Sequence, residues 1–187
     1  MVGSVASKGM DVGRLRHKTL LFLAAALAGC APSLKVMTFN VRYAADQGPN
    51  RWQARRPVMA ALIRDARPDL IGTQELLQRQ GDDLSQDLPG YRWFGRDRRG
   101  EHADEHMGVF YRPDRLRLVR HGDFWLSDTP GQPGSVSWGA DLPRMATWAV
   151  FEVRTGKPRR FLFVDTHLAH RDRDEEARRR SAELILA

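Results

Sequence analysis

The chain predicts a mixed α/β layered fold with antiparallel portions. Two observations predict it. Residues 34–88 alternate strand-like and helix-like apolar patterns, β-α-β-α, and residues 91–166 then carry strand-like runs one after another with no helical period between them. That order argues against a doubly wound parallel sheet, in which strands and helices would keep alternating to the end. No internal repeat is visible, and no linker divides the segment.

Leu34 to Phe39 alternates apolar and polar positions and reads as a strand. Ala44 to Asn50 is a polar loop with a Gly48-Pro49 turn, and Asn50 is a candidate cap for a helix taking hold around Arg55–Pro57. Val58, Ala61, Leu62 and Ala66 supply that helix with an apolar face, and Pro68 ends it. Leu70-Ile71-Gly72 is a short buried strand. Leu77, Leu84 and Leu88 suggest a second helix, closed by Pro89-Gly90. Strands are expected at 91–94, 109–111, 116–119, 124–126, 146–153 and 160–166, with a turn at Arg112–Arg115 and a Gly/Pro-rich loop from Thr129 to Pro143. Arg171 to Leu186, with Ala177, Ser181, Leu184 and Ile185 on one face, is a helix.

The chain has 187 residues, 42% hydrophobic and 28% charged, which is the composition of one globular domain and excludes a disordered chain. The formal charge of +7 is unevenly placed, with +3 in residues 1–29 and +4 in the rest. The remainder suits an anionic substrate and is too small to demand nucleic acid. Arg14, Arg16 and Lys18 precede an apolar stretch from Thr19 to Ala28, too short to span a bilayer. Residues 1–29 therefore read as an export signal and 30–33 as a tether, with the domain proper at 34–187. Leu27-Ala28-Gly29-Cys30 resembles the bacterial lipoprotein box, which implies lipidation of Cys30 and a lipid-anchored protein of the cell envelope, in the outer membrane by the Ala31 that follows. Cys30 is the only cysteine, so no disulfide can form within the chain.

Three strand ends carry chemistry. Asn40 ends the first strand and offers an amide as ligand or acceptor, or serves as a turn former. Asp69–Glu75 repeats the arrangement with a carboxylate, and Glu75 suits a hard divalent cation, which takes one or two protein carboxylates and completes its shell with water and substrate phosphate. A helix N-terminal acid is the alternative for Glu75. His167 ends the strand Phe163-Val164-Asp165-Thr166, with His170 close behind; Glu105, just before an apolar strand, could orient its imidazole.

The ordered set Phe39-Asn40-Val41-Arg42, Gln74-Glu75, Val109-Phe110-Tyr111-Arg112, Pro143-Arg144 and Thr166-His167-Leu168 resembles the endonuclease/exonuclease/phosphatase family. Asn50-Arg51-Trp52, Phe124–Ser127, Ser137-Trp138 and Thr147-Trp148 resemble a bacterial branch of it. The resemblance covers residues 34–187. It implies a DNase I-like four-layer α/β/β/α sandwich with mixed, largely antiparallel sheets, acting as a monomer in divalent-metal-dependent phosphoester hydrolysis. Asn40 and Glu75 would bind Mg2+ or Mn2+, with Glu75 the direct ligand. Arg144 would grip the substrate phosphate, and His167, oriented by Glu105, would hydrogen-bond it or assist proton transfer. His170 and Trp138 would contact a substrate that is a small phosphoester or a nucleic acid. The family's Thr-His-Leu-Asp-His reads Thr166-His167-Leu168-Ala169-His170 here. Its later Gly-Asp-Phe-Asn and Ser-Asp-His elements occur nowhere in these residues. The expectation is therefore a domain whose C-terminal part is missing, with bared sheet edges and no turnover of its own, either a phosphate-ligand-binding module or a non-functional fragment.

Overall fold

A computed structural model describes residues 33–45 and 47–187. The expected export signal, Cys30 and most of the tether lie outside the described residues. Seven strands and three helices follow in the order β1 (Val36–Asn40), α1 (Trp52–Ala66), β2 (Leu70–Leu76), α2 (Gln78–Asp87), β3 (Arg92–Phe94), β4 (His106–Tyr111), β5 (Leu116–Trp125), β6 (Met145–Val153), β7 (Arg160–Thr166) and α3 (Glu175–Leu186). They form a four-stranded sheet, β1-β2-β4-β3, and a three-stranded sheet, β5-β6-β7. Among the described residues only the β1–β2 pair is parallel, which a helical crossover such as α1 permits.

Two apolar cores separate the layers. Trp52, Met59, Ala60 and Ile63 of α1 and Leu84 of α2 pack with Ile71, Leu76 and Phe110 on one face of the first sheet. Its other face turns Leu70, Val109 and Tyr111 toward Leu116, Ala149 and Phe151 of the second sheet. These are three layers of the expected four-layer α/β/β/α sandwich. α3 follows β7 through a short 3-10 turn and buries Ala177 and Ser181. The helices α1 and α2 are also locked by charge, since Arg56 bonds Asp83 at 2.6 Å and Asp87 at 2.7 Å.

Some local expectations are corrected. α1 begins at Trp52, three residues before the expected start, Arg51 stands at its cap position with no side-chain bond, and Pro57 falls in its second turn. Its buried face is opposite to the expected one, as Val58 is 66% and Leu62 45% exposed. Residues 52, 59, 60 and 63 also share a helical face, and the buried Trp52 indole, which donates to Asp83 Oδ2, turns that face inward. The two short strands expected at 116–119 and 124–126 are one strand with a bulge between Leu118 and Arg120. Its polar middle, Arg120 to Asp123, pairs with β6 throughout. Among the described residues β1 and β7 are edge strands, with Val36 51% and Leu162 63% exposed.

Candidate active site

Strands β1 and β2 run parallel, so Asn40 and Gln74 end in register and Glu75 lies one residue beyond. Here β2 loses register with β4, between Thr73 and Leu76, and Glu75 adopts φ +59°. A left-handed conformation at a non-glycine residue costs about 1–3 kcal/mol and persists only where its surroundings enforce it. The enforcement is visible. Asn40 Nδ2 donates to Glu75 Oε1 at 2.8 Å, and the Tyr43 amide donates to Oε2 at 2.9 Å. Asn40 Oδ1 in turn accepts from the Arg42 amide at 2.8 Å, and Arg42 is itself left-handed at φ +56°. Arg55 ties down this loop by donating to the carbonyls of Val41, Arg42 and Tyr43. Partial burial alone would raise the Glu75 carboxyl. The bonds from Asn40 and Tyr43, with the nearby His167 imidazole and the Arg144 charge, hold it below its ordinary value, so it is ionised at neutral pH.

The second cluster comes from the other sheet. Arg144 precedes β6, His167 follows β7, and the two strands are antiparallel neighbours. The buried Arg144 guanidinium donates to the His167 carbonyl at 3.3 Å and lies 3.1 Å from His170 Nδ1. Burial and the neighbouring Arg98 lower the pKa of Arg144, while Glu105, Asp174 and Glu75 oppose that. Burial and Arg144 likewise lower that of His167, which is neutral at pH 7. A small cavity of about 60 Å3 opens beside Arg144 and His170, bounded by Ala140, Asp141, Arg171 and Asp174.

Two residues take places that sequence reasoning did not assign. Glu105 is held by Arg98, at 2.9 Å, and His167 Nδ1 is buried without a hydrogen-bond partner among the described residues. The expected Glu105–His167 pair is therefore replaced by a Glu105–Arg98 pair. Charge explains it, because Arg98 is permanently cationic and His167 is neutral. Trp138 donates its indole N–H to Asp128 at 2.8 Å and carries Arg180 of α3 over its ring, so its polar edge and one face are both engaged. Arg98 itself was missed. It bonds Asp104 and Glu105 and contributes charge at Arg144 and His167. Asp97 holds this loop by accepting from the amides of Arg99, Glu101 and Asp104. No signal distinguished Arg98 from its arginine-rich surroundings.

The structure thus brings Asn40 and Glu75 together, and Arg144, His167 and His170 together. Glu75 lies near the end of β2 in one sheet, Arg144 and His167 flank β6 and β7 in the other, and both Arg144 and His167 act on the Glu75 carboxyl.

No protein-family model and no curated protein matches the chain. Solved structures do. An endonuclease/exonuclease/phosphatase family protein from Bacteroides thetaiotaomicron is 38% identical, with a TM-score of 0.77, over 82% of this chain and 56% of that one. The endonuclease/exonuclease/phosphatase of Bacteroides vulgatus is 40% identical, with a TM-score of 0.76, over 82% and 58%. A mannosyl-6-phosphatase of Bacteroides thetaiotaomicron is 38% identical, with a TM-score of 0.76, over 82% and 58%. The fold is therefore the DNase I-like sandwich of these proteins, and the chain spans somewhat over half their length.

Proposed function

We propose that the chain is a member of the endonuclease/exonuclease/phosphatase family and carries one part of a divalent-metal-dependent phosphoester hydrolase centre. The observation that supports this most is an ionised carboxylate, Glu75, coupled to a buried guanidinium, Arg144, whose hydrogen bonds go to a carbonyl and an imidazole. An anion arriving beside Arg144 supplies counter-charge to the guanidinium and meets the carboxylate's bound cation. A phosphate with a divalent metal satisfies both requirements.

Glu75 fits a hard cation such as Mg2+ or Mn2+. Each of its oxygens accepts one hydrogen bond and keeps a second lone pair, and magnesium commonly takes one or two carboxylates with water and substrate phosphate. Among the described residues no group of three or more His, Cys, Asp and Glu side chains is disposed to hold a metal. Asn40 positions Glu75 through its amide N–H, and its oxygen, which accepts from Arg42, keeps a second lone pair as the Glu75 oxygens do. A cation bound here would polarise the phosphoryl oxygens and stabilise charge on the leaving group. Arg144 grips phosphate oxygens with its planar fork. His167 hydrogen-bonds the phosphate through the imidazole and exchanges a proton there, and Glu105 keeps Arg98 in place. The likeness to a mannosyl-6-phosphatase makes a small phosphomonoester the first substrate class to try.

The Gly-Asp-Phe-Asn and Ser-Asp-His elements are not among the 187 residues. The chain by itself is expected to bind inorganic phosphate and Mn2+ without turnover. Calorimetric titration with each, beside hydrolysis assays on mannose 6-phosphate and bis(p-nitrophenyl) phosphate, tests this. Failure to bind either ion sinks the site; turnover by the chain that disappears in His167→Ala overturns its inactivity. Residues 14–30 further support export and lipid anchoring through Cys30, checked by labelled palmitate uptake in wild type and Cys30→Ser.

A further inference from the structure

Asp165 has no part in the reading above, yet it is built into the space between the two sheets. It is 4% exposed and projects inward from β7. Gln74 Nε2, on β2 of the other sheet, donates to Asp165 Oδ1 at 2.7 Å and lies 3.4 Å from Thr38 Oγ1. The sheets meet so closely here that a Cβ on Gly72 would stand 2.6 Å from Asp165 Oδ1 and 2.9 Å from its Cγ. Glycine at 72 is what admits the carboxyl. Asp165 Oδ2 is buried with no hydrogen-bond partner among the described residues. The groups that act on the carboxyl are Gln74 and the backbone amides of Thr73 and Thr166, none of them charged. Its cross-strand neighbour Thr147 is turned instead to Asp123, donating at 2.8 Å.

The location gives this bond its meaning. Gln74 is covalently next to Glu75, and Asp165 lies two residues before His167. The bond therefore joins the two strands directly beneath the two halves of the site. We propose that Asp165 is a positioning residue which, with Gln74, clasps β2 to β7 and so fixes His167 relative to Glu75 and Arg144. The proposal rests on Glu75 and His167 belonging to one site. Burial pushes the Asp165 carboxyl up to about 7, so the clasp is a neutral pair through the acid range, and a neutral pair is far cheaper to bury than a lone carboxylate.

The titration of the His167 imidazole reads the clasp directly, because burial and the charges of Arg144, Glu75, His170 and Arg98 set its position. The 187-residue protein is labelled at histidine and followed by NMR, with His167→Gln assigning the resonance. Asp165→Ala is expected to move the His167 titration upward by about half a pH unit or more, as the imidazole escapes burial and Arg144. Asp165→Asn, which keeps the shape and the acceptor, is expected to restore the wild-type position. Thr147→Val removes a buried hydrogen bond in the same row and is expected to lower the melting temperature while leaving His167 where it was. An equal shift in Thr147→Val, or no shift in Asp165→Ala, overturns the proposal. Should Asp165→Ala be recovered only unfolded, Gln74→Met removes the donor at similar volume and decides by the same criterion. None of these readings needs turnover or bound metal. Loss of the phosphoesterase reading would show as failure to bind phosphate and Mn2+, whereas loss of the clasp shows as an unmoved His167.

Discussion

The Glu75 cluster and the Arg144–His167 cluster lie at the same end of the sandwich and are built in opposite ways. Glu75 has a hydrogen bond on each oxygen, from Asn40 and from the Tyr43 amide, and its supports all come from residues 40–55. Its electrostatics are settled before any ligand arrives. His167 has a buried ring nitrogen with no partner among the described residues, and Arg144 is buried with one carbonyl and one imidazole to hold it. Burial lowers the pKa of both. On the proposed function the first cluster is a finished carboxylate for a cation. The second is then a set of under-compensated donors for an anion. The carboxylate side is thus preorganised by its own loop, and the arginine–histidine side is completed by what binds.

The largest expected effects come from removing each cluster's principal charge. Glu75→Gln is expected to cut Mn2+ affinity by about 100-fold or more, while Asn40→Ala, which frees the carboxylate without removing it, costs about 10-fold. Calorimetry on both variants separates ligand from support; equal losses would make Asn40 a ligand. Arg144→Ala is expected to weaken inorganic phosphate by about 2–3 kcal/mol, with Arg144→Lys keeping only part because an ammonium lacks the planar fork. Phosphate that binds Arg144→Ala unchanged would remove the anion side of the comparison.

A third test concerns the foundation common to both clusters. The Asp165 carboxyl, ordinarily near 3.8, is pushed up to about 7 by burial. Between these values the unfolded chain has released the proton and the folded chain still holds it. Stability is thus fully present below the ordinary value and is lost as pH rises toward 7, by up to about 4 kcal/mol. Asp165→Asn is expected to flatten the fall in melting temperature between pH 4 and pH 7 relative to wild type. Parallel curves would mean that the carboxyl is already ionised in the folded protein. The smallest expected effect lies on α1, where Val58→Ala should change stability by no more than about 0.5 kcal/mol and Ile63→Ala by about 2–4 kcal/mol.

Much of this was legible in residue order. The strand Arg160–Thr166 delivering His167, the buried strand delivering Glu75 and the β-α-β-α opening all follow from apolar pattern and turn residues. What escaped has a physical reason in each case. The Glu75 bulge and its positive φ are enforced by Asn40 and Tyr43, partners 35 and 32 residues away in the chain, which periodicity does not register. Arg98 won Glu105 from His167 by charge, a competition decided only once the 97–105 loop is folded around Asp97. The inward face of α1 was misread because two sets of apolar residues share the helical spacing, and only the buried Trp52 settles which one faces the sheet. Asp165 looked like one more strand residue, since its partner Gln74 is 91 positions away on the other sheet.

On the proposed function the two clusters form one metal–phosphate site. Phosphate affinity measured with and without Mn2+, in wild type and Glu75→Gln, tests it most directly, because coupling between bound ligands is reciprocal and is lost when either site is lost. Mn2+ is expected to tighten phosphate binding about 10-fold in wild type and not at all in Glu75→Gln. Phosphate affinity indifferent to Mn2+ in the wild-type protein would contradict it.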